Sequence, residues 1–199
     1  MADDKDGREK QAQDADDRQR RRDIAAELER GDEPEPDIDA ADLDDVEAEL
    51  ESLEFPATGA EILAAIGDRD IGPSDERYTV EQLVPETDEV VFDSPDRVRV
   101  RIQRPTVAAA MKRIVELSET LPNEELDGSQ HDAYEKTFLE LKRLSPDDED
   151  EEIGVVRDWV VDRIRDEEKL PSSRQIRRQA AKVCRQNGYQ IRNDDWLGI

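Results

Sequence analysis

The sequence predicts an α+β protein that is predominantly helical, and three observations support this. Four long segments in the C-terminal half place apolar residues at helical spacing. Two earlier segments have the Thr-x-x-Glu/Gln spacing of a helix-capping box. Two short β-branched runs, at residues 89–92 and 97–102, flank Asp93-Ser94-Pro95-Asp96 and predict a hairpin. We therefore expect a small helix-plus-β-hairpin module, then a helical C-terminal part, with a disordered or solvated-helix N-terminal tail before both.

Composition suggests three regions along the chain. Residues 1–37 form an acidic, arginine-containing tail with too few large apolar residues to offset the entropy of ordering. Its basic block at 18–22 is open to two interpretations, a nucleic-acid-binding arm or a salt-bridged helix face. Residues 38–103 are predicted to be the small α+β module. Residues 104–199 are predicted to be a helical domain that ends in a basic helix.

The elements of the module follow from capping and apolar patterns. A short acidic helix is expected at 39–53, and a second helix is expected to begin at Thr58 and end at Gly67. Thr79 and Gln82 predict another short helical turn. In the second run of the hairpin, alternation predicts that the apolar residues point inward and that the intervening arginines are exposed. The apolar residues are Val98, Val100 and Ile102, and the arginines are Arg97, Arg99 and Arg101.

Four helices are predicted in the C-terminal part, at 105–120, 129–144, 152–167 and 172–187. Pro105 suits a helix start, and Gly188 suits a helix end. The charged run at 147–152 predicts a solvated connector between the second and third of these helices. The third and fourth helices together resemble a helix-turn-helix pair spanning 152–187.

The charge of the chain indicates the salt content of the surroundings in which the protein works. The 199 residues include 54 acidic and 29 basic ones, for a formal net charge of -25. Arginine outnumbers lysine 22 to 7, which together with the excess of carboxylates is typical of a halophilic protein. The alternative is a generic acidic disordered protein. The sequence has neither a signal-peptide pattern nor an apolar run of the roughly 18 residues that a membrane span needs, so we expect a cytoplasmic protein.

Residues 53–102 resemble a small module of uncharacterised haloarchaeal proteins. The resemblance rests on an aromatic-Pro-x-Thr helix start, a short helix and a Phe-x-Ser-Pro sequence. It implies a salt-loving source and no particular activity, and the longer part at 105–199 departs from that family. The matching segments are Phe55-Pro56-Ala57-Thr58, Glu61-Ile62, Ile66-Gly67-Asp68, Tyr78-Thr79-Val80-Glu81-Gln82-Leu83 and Val91-Phe92-Asp93-Ser94-Pro95.

The residue types that carry catalysis or bind metals are few. His131 is the only histidine and Cys184 the only cysteine, and both are expected to pack at apolar helix faces. The sequence has no glycine-rich phosphate loop, no calcium-loop spacing and no set of zinc ligands. We therefore expect no enzyme activity, no cofactor and no metal site.

The strongest asymmetry is the basic last helix. Residues 171–199 carry 2 acidic and 6 basic residues, net +4, the opposite sign to the rest of the chain. At about 100° per residue, four of the basic residues fall within roughly an 80° arc. Tyr189 and Trp196 are aromatic residues that either stack on a ligand or pack on the helices. The candidate binding residues are Arg174, Arg177, Arg178, Lys182, Arg185 and Tyr189.

Three interpretations of these basic residues remain open: neutralisation by the chain's own acids, docking on a partner protein, or contact with nucleic-acid phosphates. The string Leu170-Pro171-Ser172-Ser173-Arg174 is similar to the start of the second helix in GntR-type winged-helix regulators, but the turn and third helix are missing. Phosphate-driven affinity also falls steeply with salt. We expect a non-enzymatic interaction or adaptor protein that docks through the basic helix, or alternatively a nucleic-acid-associated regulator.

Overall fold

The computed structural model describes residues 36–72, 77–122, 124–144 and 150–189. These residues are predominantly helical and include two small antiparallel sheets, which confirms the predicted α+β class. A 3₁₀ turn at Ala40–Leu43 precedes the first helix. The α-helices are α1 (Asp44–Leu50), α2 (Gly59–Ile66), α3 (Val80–Leu83), α4 (Pro95–Ile102), α5 (Pro105–Ser118), α6 (Gly128–Leu144), α7 (Glu151–Glu167) and α8 (Ser173–Gln186).

Each sheet consists of two strands of two residues. Strand β1 (Ala57–Thr58) pairs with β4 (Val91–Phe92), and strand β2 (Asp70–Ile71) pairs with β3 (Tyr78–Thr79). Two of these strands lead directly into helices, because Thr58 is the N-cap of α2 and Thr79 is the N-cap of α3. The strands therefore set where the short helices begin.

The predicted capping boxes are present. The Thr58 hydroxyl accepts a hydrogen bond from the Glu61 amide at 3.2 Å, and the Glu61 carboxylate accepts one from the Thr58 amide at 2.8 Å. Gln82 caps Thr79 in the same way, accepting from its amide at 3.0 Å. Gly59 follows the first cap at a close approach of two backbone segments, where an added Cβ would overlap the carbonyl oxygen of Pro85.

The predicted hairpin at 89–102 is wrong. Residues 97–102 belong to α4, and β4 pairs with β1 instead. Ser94 is extended and Pro95 takes the first helical position, which starts a helix rather than a turn. Val98 and Ile102 are four residues apart, so they lie on the same side of the helix, and both are buried. Val100 is 40% exposed. Arg101, which the alternation placed in solvent, is buried.

Two clusters of buried apolar residues make up the core of the described residues. The first cluster draws on residues 38–108 and the second on residues 107–189. Helix α5 borders both, because Val107 belongs to the second cluster and Ala108 to the first. In the second cluster, α5 packs against α7, and α8 packs against both α6 and α7.

The chain departs from the predicted tail and connector at their ends. Residues 1–35 lie outside the described residues, but the Asp37 amide already donates to the Gln103 carbonyl at 3.0 Å. The predicted solvated run at 147–152 is wrong at its C-terminal end, since Glu152 is buried in the first turn of α7. Its carboxylate accepts a hydrogen bond from the Asn187 side chain at 2.8 Å. This contact joins the start of α7 to the end of α8.

Candidate docking surface on the last helix

Helix α8 has a well-defined start and end. The Ser172 hydroxyl accepts from the Gln175 amide at 3.4 Å, and the Gln175 side chain accepts from the Ser172 amide at 2.7 Å. This is a capping box in which Ser172 is the N-cap of the helix. Gly188 follows the helix with a φ of +88°, a left-handed conformation that favours glycine. These signals set where the helix begins and ends.

One side of α8 is apolar and buried in the second cluster. Burial raises the pKa of the Cys184 thiol to about 11, with nearby Glu152 adding to the rise. The thiol is therefore protonated at neutral pH and is a poor nucleophile. The buried residues on this side are Ile176, Ala180, Val183 and Cys184.

The opposite side is basic, and we call Arg174, Arg178, Lys182 and Arg185 the basic face. All four residues are exposed, and Arg177 lies half-buried at the flank. The Nε atoms of Arg177 and Arg185 donate to the carbonyls one turn earlier, Ser173 at 3.0 Å and Ala181 at 2.9 Å. Within the described part of the chain, none of these five cations forms an ion pair.

Tyr189 does not extend the basic face. It is half-buried and packs against the second apolar cluster, and its amide donates to the Cys184 carbonyl at 3.0 Å. The sequence left stacking and packing open for this residue, and the structure has it packed. Trp196 lies outside the described residues.

Acidic residues border the N-terminus of α8. Glu124, Glu125 and Asp127 line an open cavity of about 460 Å³ together with residues 172, 173 and 175. The Glu124 carboxylate accepts a hydrogen bond from the Leu170 amide at 2.6 Å, which fixes it next to the helix start. The first turn of α8 therefore faces a negatively charged rim.

A second group of polar residues connects α4 to α6. The Nη2 atom of Arg101 lies 3.1 Å from His131 Nε2 and 3.6 Å from Glu135 Oε1. A guanidinium only donates, so Nε2 of a neutral imidazole accepts this bond. Burial lowers the pKa of His131, and the Arg101 charge lowers it further, while Glu135 and Asp132 oppose the shift.

His131, Asp132 and Glu135 have ligand atoms within 4.8 Å of one another, a spacing that suits a metal ion. The Arg101 guanidinium, however, takes up His131 Nε2 and lies beside Glu135. A positive charge at this position repels a second cation, so the geometry favours an arginine–histidine–carboxylate contact between helices. This contact was not predictable from the sequence, because the alternation at 97–102 predicted an exposed Arg101.

A third group surrounds Lys142 near the end of α6. The Lys142 ammonium lies 2.8 Å from Asp37 and 2.7 Å from Asp150, and the Thr106 hydroxyl donates to Asp150 at 2.6 Å. Burial raises the pKa of Asp37, although Lys142 opposes this. The pKa of Lys142 is raised by its two carboxylates despite burial. The group joins four separate segments, so its role is to hold the fold together.

Comparison with known proteins finds a match over part of the chain. A family of unknown function (DUF5789) matches residues 39–113, from the 3₁₀ turn to the middle of α5. The match covers the first apolar cluster except Ile38 and stops well before α8. No curated protein and no solved structure matches this chain. In the described part of the chain, no helix has the length and apolar character needed to cross a membrane.

Proposed function

We propose that this protein is a non-enzymatic interaction or adaptor protein that docks an acidic surface of a partner protein through the basic face of α8. The observation that carries the proposal is the absence of ion pairs to Arg174, Arg178, Lys182 and Arg185 among the described residues. The chain has 54 acidic residues, so carboxylates are plentiful. Cations that point to solvent in such a chain are free to meet another molecule.

Internal neutralisation, the first alternative, receives no support from the described contacts. Exposed cations elsewhere do pair within the chain: Arg69 lies 2.8 Å from Glu49, and Arg143 lies 2.6 Å from Glu140. Among the described residues, the basic face has no such neighbours. The Nε atoms of Arg185 on the basic face and of Arg177 at its flank bind helix carbonyls, so the helix directs their terminal Nη groups, which are suited to carboxylates.

The packing of α7 on α8 supports the alternative of a nucleic-acid-associated regulator, but the surrounding charge disfavours it. In helix-turn-helix proteins the N-terminal residues of the second helix contact base edges. Here that end is bordered by Glu124, Glu125 and Asp127. Carboxylates there repel phosphates, and the net charge of -25 opposes approach to any polyanion. A protein surface with a limited acidic patch avoids most of this repulsion.

The test is recovery of partners by the full-length chain, with and without nuclease, from an extract of its native cells. The variant Arg174→Glu/Arg178→Glu/Lys182→Glu reverses three cations of the basic face. The matched control Arg77→Glu/Arg97→Glu/Arg113→Glu makes the same charge change at exposed positions elsewhere. We expect the wild type and the control to recover a protein partner despite nuclease, and the α8 variant to lose it.

Two results contradict the proposal. Partners that disappear after nuclease treatment assign the basic face to nucleic acid. Partners that the folded α8 variant still recovers remove the basic face from binding altogether. Circular dichroism of each variant establishes that it is folded before the comparison is made.

We further propose that the protein works in a high-salt cytoplasm, as its acidic, lysine-poor composition suggests. At about 1 M salt the screening length falls to roughly 3 Å, which removes most of the repulsion among exposed carboxylates. The free energy of unfolding should therefore rise from dilute buffer to molar KCl. Thermal melts across that range test this, and equal stability at both ends contradicts it.

A further inference from the structure

The outer side of α7 is a surface that the other described residues leave exposed. We call Glu151, Asp158, Asp162 and Asp166 the acidic face, and all four residues are exposed. At about 100° per residue they fall within roughly an 80° arc. Val155, 50% exposed, lies inside this arc, and half-buried Trp159 lies at its edge.

The acidic face has the residue types of an interface centre. The Arg163 guanidinium stacks over the Trp159 ring at 5.2 Å from its centroid, and tryptophan and arginine are enriched among residues that dominate binding. Asp158 pairs with its neighbour Arg157 at 2.8 Å. Asp162 and Asp166 have no ion pair in the described ranges. An exposed valine beside a tryptophan and unpaired carboxylates suits a basic helix with long aliphatic stems.

The chain itself carries a helix of that kind. On α8, Arg174, Arg178 and Lys182 are four residues apart, and on α7, Asp158, Asp162 and Asp166 have the same spacing. Each step of four residues rises about 6 Å along a helix. The two rows run parallel when two helices cross at roughly 50°, which is the commonest crossing of packed helices. Three cations can then meet three carboxylates in register.

We propose, building on the proposed function, that the partner which the basic face docks is a second copy of this chain, and that it does so through the acidic face of α7. The two faces have opposite charges and the same four-residue spacing, which favours a second copy of this chain as the partner. The arginine and lysine stems cover Val155 and Trp159, and their charged ends pair with the carboxylates. The long-range repulsion between two chains of net charge -25 makes the association strongest where salt screens it.

The experiment is light scattering on full-length protein in about 0.15 M and about 1 M KCl. Each chain carries both faces, so a two-fold dimer makes this contact twice, and for the wild type we expect a mass near twice 22.7 kDa in the higher salt. The basic-face variant Arg174→Glu/Arg178→Glu/Lys182→Glu and the acidic-face variant Asp158→Lys/Asp162→Lys/Asp166→Lys should each have the mass of one chain. Mixing the two variants should restore the dimer, because each supplies the face that the other has lost. The control Glu81→Lys/Glu89→Lys/Asp93→Lys, exposed on the first module, should behave as the wild type.

A wild type that stays monomeric up to about 1 mM, the range of weak specific binding, overturns this inference. So does a mixture of the two variants that stays monomeric while the wild type dimerises. The proposed function fails separately. If the wild type is monomeric but only the basic-face variant loses a partner from the extract, the basic face docks a different protein and self-association alone is rejected.

Discussion

The cations that this chain buries and the cations that it exposes differ in their surroundings. The side chains of Arg101 and Lys142 are 6% and 9% exposed, and each lies beside a carboxylate. The basic face of α8 is exposed and has no ion pair among the described residues. Because acidic residues are abundant in the chain, a shortage of carboxylates does not explain this difference. A desolvated cation needs a partner, whereas a hydrated one does not.

This difference indicates what each set of cations contributes. The buried cations connect distant segments, since Arg101 reaches α6 from α4 and Lys142 reaches residue 37 from the end of α6. Substituting them should therefore lower the free energy of unfolding. The cations of the basic face form no ion pair within the described fold, so removing them should weaken binding and leave the free energy of unfolding almost unchanged. The following predictions test this division, beginning with the largest effect.

An unpartnered charge in the core should have the largest effect. Val183 is 4% exposed on the apolar side of α8 and has only apolar neighbours in its cluster. Val183→Asp should lower the free energy of unfolding by about 5 kcal/mol or more, because the carboxyl loses its hydration without gaining a partner. Lys182→Asp places the same residue one position earlier on the exposed face and should change stability little. Chemical denaturation compares the two, and equal losses contradict the assigned faces.

Removing a buried cation from its partners should have the next largest effect. Lys142→Ala leaves Asp37 and Asp150 close together without the ammonium between them, at a cost of about 3–5 kcal/mol. Arg143→Ala is the matched control, since its pair with Glu140 is solvent-exposed and contributes about 0–1 kcal/mol. Urea melts of both variants measure the difference. Similar losses in the two variants show that burial does not govern pairing in this chain.

The Arg101–His131 contact should make stability depend on pH. Burial and Arg101 lower the pKa of His131 below the 6.5 of an unfolded chain. The unfolded state then binds the proton more readily, so stability is present above pH 6.5 and is lost as pH falls through the folded pKa. Because the chain has one histidine, its imidazole signal in NMR reports this pKa directly. Arg101→Met should raise it.

His131→Gln provides the control for this effect, because it removes the titrating group while keeping a polar side chain. The difference in unfolding free energy between wild type and His131→Gln should shrink as pH falls from 6.5. A His131 pKa at or above 6.5, or one unchanged by Arg101→Met, contradicts the hydrogen bond to Nε2. A difference that is constant with pH contradicts the linkage.

Patterns within one helix were predictable from sequence, whereas contacts between elements were not. The four long helices follow from apolar residues three and four apart, and the capping boxes from residues three apart. The hairpin prediction failed because the same residues fit both patterns. Val98, Val100 and Ile102 alternate as in a strand, but Val98 and Ile102 are also four residues apart, as on one side of a helix. The Ser94-Pro95 helix start decided between them, and that signal was assigned to a turn.

The candidate site was predictable to a similar extent. The basic face was visible because it lies on one helix, and its exposure follows from the apolar residues opposite. The acidic rim at Glu124 and the contact of Arg101 with His131 join residues 46 and 30 positions apart. Periodicity carries no information about such pairs, because they arise when helices pack. For the same reason, Tyr189 was assigned to the binding surface although it packs on the core.

Reversal of the basic face should have the smallest effect on stability, and it decides between the two roles of α8. In about 1 M KCl, the free energy of unfolding of Arg174→Glu/Arg178→Glu/Lys182→Glu should differ from that of wild type by no more than about 1 kcal/mol per substituted residue, the upper limit for surface charges. No ion pair in the described structure is lost, and Arg174→Glu places an acid near the helix N-terminus, where the dipole favours it. In dilute buffer the cost should be larger, because three reversals make the net charge more negative by six. If the variant instead loses several kcal/mol in molar salt, the basic face holds the fold together, and both the docking role and the division between buried and exposed cations are wrong.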